Sequence, residues 1–280
     1  MGKVYLDEQI LTDIADATRS KTGSSASMTP GQMADAIEGI YDFTKLGYSQ
    51  TPSSIPNGYQ YALEVKNNWE NVADLTDKMK DKLNLIYMPV VDTSNATNMQ
   101  ATFARDLNLE YVPLLNTSNV TQMNWTFERC VCLHSGEFNN WDTSNVTNMR
   151  YMFTHCDSLR DIKLNYNTEK VTTMEEMFSN SRHIKNLDLS SFNTPQLTNT
   201  RAMFYYCFSL EVLDMRNFDF TNITNYTSMF GGSSTGVKND CLIIVKDQTQ
   251  KDWILGKFSR FTNVKTVAEY EASLGEVTNE

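Results

Sequence analysis

The sequence is poor in the residue types on which catalysis and metal binding most often depend. It contains only 3 His, 5 Cys and 6 Pro among 280 residues. No Gly-x-Ser-x-Gly, Walker loop, His-Glu-x-x-His or Gly-x-Gly-x-x-Gly motif occurs in it. The Asp and Glu residues form no recognisable catalytic pair either. We therefore expect no catalytic residues, no cofactor and no enzymatic activity.

A group of cysteine and histidine residues between 130 and 156 could be imagined as zinc ligands. Structural zinc sites usually take pairs of cysteines two to four residues apart. Here two of the candidates, Cys130 and Cys156, recur at one position of a sequence repeat, which favours packing over coordination. The number of cysteines, five, is odd, and the protein is expected to be made in a reducing cytosol. Both argue against a disulfide framework. We therefore expect no metal. The candidates are Cys130, Cys132, His134, His155 and Cys156.

Basic residues and long apolar runs are also scarce. The 24 Lys and Arg against 34 Asp and Glu give a net charge of −10, which disfavours nucleic acid or an anionic membrane as a partner. No apolar stretch approaches the roughly 18 residues of a membrane span. The N-terminus lacks the apolar core of a signal peptide. We expect a protein that is made and kept in a cytosol until the cell opens, without membrane insertion.

The sequence is rich, in contrast, in one recurring motif. The run Asp-Thr-Ser-Asn-Val-Thr-Asn-Met at 142–149 leads to Phe153, and similar runs lead to five further phenylalanines. Successive members stand 24, 26, 25, 26 and 26 residues apart. Such a period indicates a solenoid whose repeats bury their apolar faces against one another. The six residues are Phe103, Phe127, Phe153, Phe178, Phe204 and Phe230.

Each repeat has two apolar segments. Leu-x-x-Leu-x-Leu spacing, as at 210–215, predicts a short strand with alternate side chains pointing inward. Val-Thr-x-Met-x-x-Met-Phe has apolar residues three and four apart, which suggests a short helix or 3₁₀ turn. The expected fold is an α/β solenoid of about six coils with a parallel sheet over residues 83–236.

These residues resemble the BspA-type leucine-rich-repeat family. The resemblance covers about residues 83–230 and is carried by 184–194, by the Asp-Thr-Ser-Asn-Val-Thr-Asn-Met run and by Met-Phe-x-x-Cys-x-Ser-Leu at 152–159 and 203–210. It implies a leucine-rich-repeat solenoid used for surface adhesion or recognition, without catalysis. Glu110 and Gly136 depart from the pattern because each stands where a core aliphatic is expected.

A polar column accompanies the repeat. Asparagine suits a turn because its side chain can bond to backbone groups there. Several members also fall in Asn-x-Thr sequons, but we favour recurring turn residues over glycan attachment. The column is Asn95, Asn119, Asn145, Lys170, Gln196 and Asn222.

Residues 1–43 are predicted to form a separate helical hairpin. Asp7 can cap the first helix, and Thr29-Pro30 can begin the second. A hairpin this small must dock onto something larger to be stable. We expect it to attach the protein to an assembly or to a second copy. Its anchoring face is Ile10, Ile14, Met33, Ile37 and Ile40.

The same segment resembles an N-terminal helical module of bacteriophage tail, baseplate and fibre proteins. The resemblance rests on Ile14-Ala15-Asp16-Ala17, Lys21-Thr22-Gly23 and residues 28–37, about 35 residues in all. It implies attachment or oligomerisation within a virion. A generic hairpin that caps the domain is the alternative.

The segments flanking the repeats are expected to act as caps, since solenoid ends need covering. Residues 44–82 read as a linker and N-terminal cap, with an amphipathic helix over 69–82. Residues 237–280 read as a C-terminal cap and tail. There we predict a strand at 241–245, a helix at 248–258, a strand at 264–267 and a tail from Glu269.

The outward column of the predicted sheet is our candidate partner-binding surface. It would lie between the two inward positions of each strand, on a face that solenoids commonly use for binding. An ordinary solvated face is an equal alternative. The column is Tyr87, Tyr111, Glu137, Lys163, Asp188 and Asp214.

Three functions follow in order of preference. The first is a bacteriophage virion structural protein of the tail, baseplate or fibre, assembled in the host cytoplasm. Its partners would be other virion proteins, further copies of itself and a host cell-surface protein or glycan. The second is a bacterial cell-surface adhesin of the BspA type. The third is an enzyme on a repeat scaffold, which no residues support.

Overall fold

The architecture comes from a computed structural model that describes residues 72–82, 85, 88, 92–232 and 234–277. These residues belong to the unit Tyr61–Glu280. The predicted N-terminal hairpin, its anchoring face and Tyr87 lie outside the described residues.

The chain winds as a solenoid whose successive coils are joined by a ladder of parallel backbone bridges. The bridges link positions 24 to 26 residues apart, each directly before the recurring Met position of its repeat. A solenoid built on the Phe period is therefore confirmed. The ladder runs Asp74, Asn98, Gln122, Asn148, Thr173, Asn199 and Asn225.

The strands are short and all parallel. Strands β1 (Tyr111–Val112) and β2 (Ser135–Gly136) pair in one sheet. A second sheet has the order β3-β4-β5-β6-β7, which is also the chain order. Its strands are β3 (Asp161–Lys163), β4 (Asn186–Asp188), β5 (Val212–Met215), β6 (Leu242–Val245) and β7 (Val264–Thr266).

The segment leading to each Phe forms tight turns with left-handed residues, so the expected short helix or 3₁₀ turn is wrong. The backbone amides of this segment alternate between hydrogen bonds to the next coil and hydrogen bonds within their own coil. The amides of Met99, Ala101 and Phe103 reach carbonyls of the next coil at 2.9–3.0 Å, whereas those of Thr102 and Ala104 close tight turns within their own coil. These turns produce the same three-and-four apolar spacing as a helix.

Left-handed residues recur two positions before each repeat Phe and, in the coils of Phe103 to Phe204, two positions after it. The thirteen non-glycine residues with positive φ in the described chain all fall in two columns, with φ between 51° and 64°. The first column holds Asp77, Ala101, Trp125, Tyr151, Glu176, Ala202 and Ser228, and the second holds Asp81, Arg105, Arg129, His155, Asn180 and Tyr206.

The described part of the predicted N-terminal helix belongs to the same ladder. Residues 72–82 form bends and turns, Asp74 bridges to Asn98, and Leu75 and Met79 are buried. The amphipathic helix expected over 69–82 is therefore wrong for its described part, because Leu75 and Met79 occupy the Met and Phe positions of the repeat.

The core is a stack of aromatic rings along the solenoid axis. The six repeat phenylalanines are all fully buried. Neighbouring rings lie 5.3–5.9 Å apart, centroid to centroid, and are nearly parallel. A second stack, which the sequence analysis missed, joins Tyr166, Phe192 and Phe218. Burial of these rings supplies apolar stabilisation in every coil.

Gly136 and Phe138 explain the irregular third repeat. A Cβ on Gly136 would lie 2.6 Å from the Val112 carbonyl oxygen and 2.7 Å from the Phe138 ring. Gly136 also has φ 152°, a conformation that favours glycine. The Phe138 ring thus fills the space that a strand aliphatic would occupy, and a 3₁₀ helix covers Glu137–Asn140.

The C-terminal cap largely follows the prediction. Helix α1 spans Gln248–Lys257 and packs Trp253 on Phe220, with ring centroids 4.7 Å apart. The tail expected from Glu269 is wrong, because helix α2 spans Val267–Val277. Thr266 and Glu269 cap it reciprocally, each side chain accepting a hydrogen bond from the other's backbone amide. In the described part, no helix is long and apolar enough to cross a membrane.

Candidate recognition surfaces

The predicted partner-binding column is partly brought together by the second sheet. Lys163, Asp188 and Asp214 pair in register on β3, β4 and β5. The Lys163 ammonium lies 2.8 Å from the Asp188 carboxylate. Tyr111 lies on β1, in the other sheet, and is half-buried. We refer to Tyr111, Lys163, Asp188 and Asp214 as the sheet face.

Glu137 does not belong to the sheet face, which corrects the sequence analysis. Tyr111 pairs with Ser135 rather than with Glu137, and Glu137 begins the 3₁₀ helix. The physical reason is Gly136, whose conformation ends the strand and lets Phe138 enter the core.

Asp214 is the least solvent-exposed member of the sheet face. It is 8% exposed, and its carboxylate binds the Arg216 guanidinium at 2.6–3.0 Å. On the next strand, β6, Ile244 pairs with Asp214 and is 1% exposed. Helix α2 packs there against β6 and β7, and Lys265 bonds to Ser273 of that helix. The open part of the sheet face therefore centres on Lys163 and Asp188.

The ion pair sets the charge of this open part. Burial alone would raise the pKa of Asp188, but hydrogen bonds from Lys163 and Ser190 outweigh it and lower the pKa below its ordinary value. Asp188 is therefore a carboxylate at neutral pH, paired with an exposed lysine. A half-exposed pair of this kind contributes little to stability and can exchange its partner for a ligand.

The zinc candidates do not form a ligand set. Cys130 and Cys156 are fully buried, and each thiol lies within hydrogen-bond distance of a Phe carbonyl oxygen of the preceding coil. Burial raises the pKa of both thiols, which keeps them protonated. All five cysteines are free, and no cluster of three or more His, Cys, Asp or Glu in the described chain is placed to hold a metal ion.

The polar column bonds between coils, as expected for turn residues. The side-chain amide nitrogens of Asn119, Asn145 and Asn222 each donate to a carbonyl of the preceding coil at 2.8 Å. A neighbouring row of threonines repeats this link. After the first member, Thr97, each hydroxyl donates to the carbonyl oxygen of the preceding row member at 3.2–3.3 Å. That row is Thr97, Thr121, Thr147, Thr172, Thr198 and Thr224.

A second surface, which the sequence analysis did not identify, lies beside the turns. The Trp125 and Tyr151 rings stack with centroids 5.4 Å apart and planes 8° from parallel. The Arg150 guanidinium carbon lies 6.0 Å from the Trp125 centroid and 5.5 Å from that of Tyr151. We call Trp125, Arg150, Tyr151, Glu175, Glu176 and Arg201 the lateral cluster. The spacing of 26 residues between Trp125 and Tyr151 was the available signal.

Ion pairs join the rest of the lateral cluster across three coils. Arg150 lies 3.1 Å from Glu175, and Arg201 lies 3.0 Å from Glu175 and 2.7 Å from Glu176. Burial, with the two nearby glutamates, raises the pKa of Tyr151, so its hydroxyl stays protonated. The cluster carries two positive and two negative charges.

Comparison with known protein families identifies the repeat. The family model described as "Mycoplasma protein of unknown function, DUF285" matches residues 70–163 and 133–241, which together cover more than half of the chain. The chain belongs to the DUF285 family. The DUF285 match begins at residue 70, in agreement with a ladder that begins at Asp74.

DUF285 membership fits a BspA-type repeat protein at the level of the repeat family. Residues 1–43 lie outside both DUF285 matches, which therefore do not test the expected bacteriophage module. No curated protein and no solved structure matches the chain.

Proposed function

We propose that this chain is a bacteriophage virion structural protein, part of a tail, baseplate or fibre, whose leucine-rich-repeat solenoid recognises or adheres to the host surface. The bridge ladder from Asp74 to Asn225 is the main support. It stacks the recurring Met and Phe residues inside, with threonines such as Thr117, Thr143 and Thr168 buried beside them. The solenoid therefore presents extended, regular surfaces to a partner.

The virion assignment rests on residues 14–37, whose sequence resembles a phage attachment module. In this proposal the hairpin of residues 1–43 docks the chain onto other virion proteins and promotes a homo-oligomer. The solenoid then meets a protein or glycan of the host cell. Localisation in the virion, after assembly in the host cytoplasm, follows from this arrangement.

A bacterial cell-surface adhesin of the BspA type is the second candidate. The family description favours it, because the description names a bacterial genus. The two candidates share a binding solenoid and differ in what the N-terminal segment attaches to.

The deciding experiment is to locate the protein in purified phage particles. We expect it in the tail, and we expect deletion of residues 1–43 to remove it from particles and lower its oligomeric state. Ile14→Asp with Met33→Asp should have the same effect, whereas Asp16→Asn with Asp35→Asn should not. Retention of the 1–43 deletion in particles would contradict the attachment role. Recovery of the protein on bacterial envelopes, and not in particles, would favour the adhesin.

A further inference from the structure

We propose that Asp106 makes the first described coil a pH-sensitive joint, which is closed in acid and opens as the pH rises. We call residues 72–82 the first coil and the coil of Phe103 the second coil. Along the chain, the first coil connects residues 1–71 to the rest of the solenoid. The proposal goes beyond the recognition function and does not depend on which partner the solenoid binds.

The Asp106 side chain lies at the contact between these two coils. It belongs to the second coil and is fully buried. Its Oδ1 accepts a hydrogen bond from the Lys82 amide of the first coil at 2.7 Å. Its Oδ2 is buried and has no hydrogen-bond partner in the described chain. Because buried polar atoms without partners are rare in folded proteins, the ionised form of Asp106 is poorly accommodated at this contact.

The later coils show which chemistry this position favours. There the residue three positions after the repeat Phe is neutral and lies within hydrogen-bond distance of the Phe carbonyl oxygen of the preceding coil. The bridge between Asp74 and Asn98 places Met79 at the Phe position of the first coil, so the equivalent carbonyl for Asp106 is that of Met79. Only a protonated Asp106 has an O–H for this role. The neutral residues are Cys130, Cys156, Ser181 and Cys207.

The charged groups around Asp106 do not reverse this preference. Burial raises the pKa of Asp106 to about 8, and the Asp81 carboxylate adds to the rise. The Lys82 amide and ammonium oppose it and are outweighed. Asp81 is itself paired with Arg105 at 2.8 Å. The Cys130 thiol of the next coil stays protonated, because burial raises its pKa. The proton on Asp106 is therefore held by the contact between the coils.

The first coil is the part of this contact that can move. Four of its backbone amides donate to carbonyls of the second coil at 2.8–3.1 Å. Within the described chain its bridge ladder continues on that side only, and the end repeats of a solenoid open more readily than the interior ones. Opening frees the Lys82 amide and exposes Asp106 to water, where its pKa returns to about 3.9. The four amides are those of Leu75, Asp77, Met79 and Asp81.

The direction of the pH effect follows from the two states of Asp106. Between about pH 4 and pH 8 the closed joint holds a proton that the open joint has released. The equilibrium constant for opening therefore rises about tenfold per pH unit in this window. Above about pH 8 both states are deprotonated, and the dependence ends. Acid thus tightens the connection between residues 1–71 and the solenoid, and neutral solution loosens it.

The test is hydrogen exchange of the full chain at pH 6 and pH 8, read by mass spectrometry. Each exchange rate is divided by the intrinsic rate at the same pH, because the exchange reaction is itself base-catalysed. Peptides over 75–81 report on the joint. Peptides over 174–178 are the internal reference, since their amides make equivalent bonds to the next coil at 2.9–3.0 Å.

Two variants separate Asp106 from other titrating groups. Asp106→Asn has nearly the same shape, cannot ionise and carries N–H donors. Asp142→Asn is the matched control, because Asp142 is exposed and its pKa is lowered by hydrogen bonds from Ser144. If Asp106→Asn does not fold, Asp106→Ser takes its place, since Ser181 occupies the equivalent position in another coil.

We expect protection over 75–81 to fall about a hundredfold from pH 6 to pH 8, while protection over 174–178 stays nearly constant. Asp106→Asn should abolish the fall, and Asp142→Asn should leave it unchanged. Equal pH dependence of the two regions in the unchanged chain would overturn the proposal. A fall over 75–81 that persists without an acid at position 106 would overturn it as well. None of these results bears on particle location, so the proposed function fails or stands separately.

Discussion

The Ser181 hydroxyl donates a hydrogen bond to the Phe153 carbonyl oxygen, 2.6 Å away, and accepts one from the Cys156 amide at 3.1 Å. The thiols of Cys130, Cys156 and Cys207 lie 3.0–3.2 Å from the matching Phe carbonyls of their own preceding coils. In these four coils one small donor thus satisfies a buried carbonyl oxygen. Its position is three residues after the repeat Phe.

Asp106 occupies this position in the coil of Phe103. Its Oδ1 accepts a hydrogen bond from the Lys82 amide at 2.7 Å, but its Oδ2 is buried without a partner. Burial raises the pKa of Asp106 to about 8. Only the protonated carboxyl has an O–H that can donate a hydrogen bond, as the Cys and Ser residues at this position do.

Replacing Asp106 with serine should change how stability depends on pH. Between about pH 4 and pH 8 the folded chain holds a proton on Asp106 that the unfolded chain has released, so this residue lowers the free energy of unfolding as pH rises. We expect Asp106→Ser to raise that free energy by about 1–3 kcal/mol at pH 8 and much less at pH 5. Urea unfolding of the two proteins at pH 5 and pH 8 measures the difference in free energy of unfolding at each pH.

Asp92→Asn is the control for Asp106→Ser, because Asp92 is exposed and its pKa is lowered by hydrogen bonds from Ser94. An Asp106→Ser variant that is equally stabilised at both pH values, or destabilised at pH 8, would show that Asp106 is not a strained buried acid.

Removing one ring from the aromatic stack should weaken the whole solenoid. Phe178 lies 5.6 Å from Phe153 and 5.9 Å from Phe204, centroid to centroid, and is fully buried. We expect Phe178→Ala to lower the free energy of unfolding by about 3–5 kcal/mol, and Phe178→Leu by about 1–2 kcal/mol. Chemical denaturation measures both, and a loss under 1 kcal/mol for alanine would contradict a shared core.

Substitutions at Ala202 should report the left-handed backbone. Ala202 has φ 51°, which a β-branched residue adopts only under strain. We expect Ala202→Val to lower the free energy of unfolding by about 2 kcal/mol or more. Ala202→Gly is the matched variant and should be nearly neutral, since relief of strain offsets the entropy that glycine loses on folding. Similar melting temperatures for the two variants would mean that the turn is not built as described.

The sheet face has its own prediction. Tyr111 is half-buried on β1 and Tyr87 is the preceding member of the predicted column, so Tyr87→Ala with Tyr111→Ala should weaken adsorption to host cells while the chain stays folded, with only a small drop in melting temperature. Asp92→Asn, at an exposed position, serves as the control. Unchanged adsorption would remove the sheet face from the recognition surface and leave the lateral cluster as the candidate.

The repeat was readable from the sequence because one physical constraint fixes it. Every coil must offer its Met and Phe to the coils on either side, so those residues recur at a constant spacing. The strand at 242–245, helix α1 and the strand at 264–266 were also expected, since their apolar runs are bounded by clear turn residues.

The turns before each Phe could not be read in the same way. A helix and a pair of left-handed turns both place apolar residues three and four apart, and nothing in Ala101 or Trp125 demands a positive φ. Helix α2 was missed although Thr266 and Glu269 form a capping box. Glu137 was misplaced because spacing alone does not reveal that Gly136 ends its strand.

The lateral cluster was missed because the outward strand positions were taken as the only binding surface. Its members lie in turns expected to be helical, where Trp125 and Tyr151 would not stack in register. Only the bridge ladder, which fixes that register, brings the two rings together.

Backbone amides in each coil bond alternately to the next coil and within their own turn. This regularity bears on how the number of coils can change in evolution. Met99, Met123 and Met149 make the same backbone bonds to the coil that follows, so the junctions along the bridge ladder are alike. Loss of residues 123–148 would bring Gln122 directly before Met149 and leave the bridge ladder one rung shorter but unbroken. Homologous recombination between repeats can therefore lengthen or shorten this protein in whole coils, and relatives should differ by steps of about 25 residues rather than by small insertions.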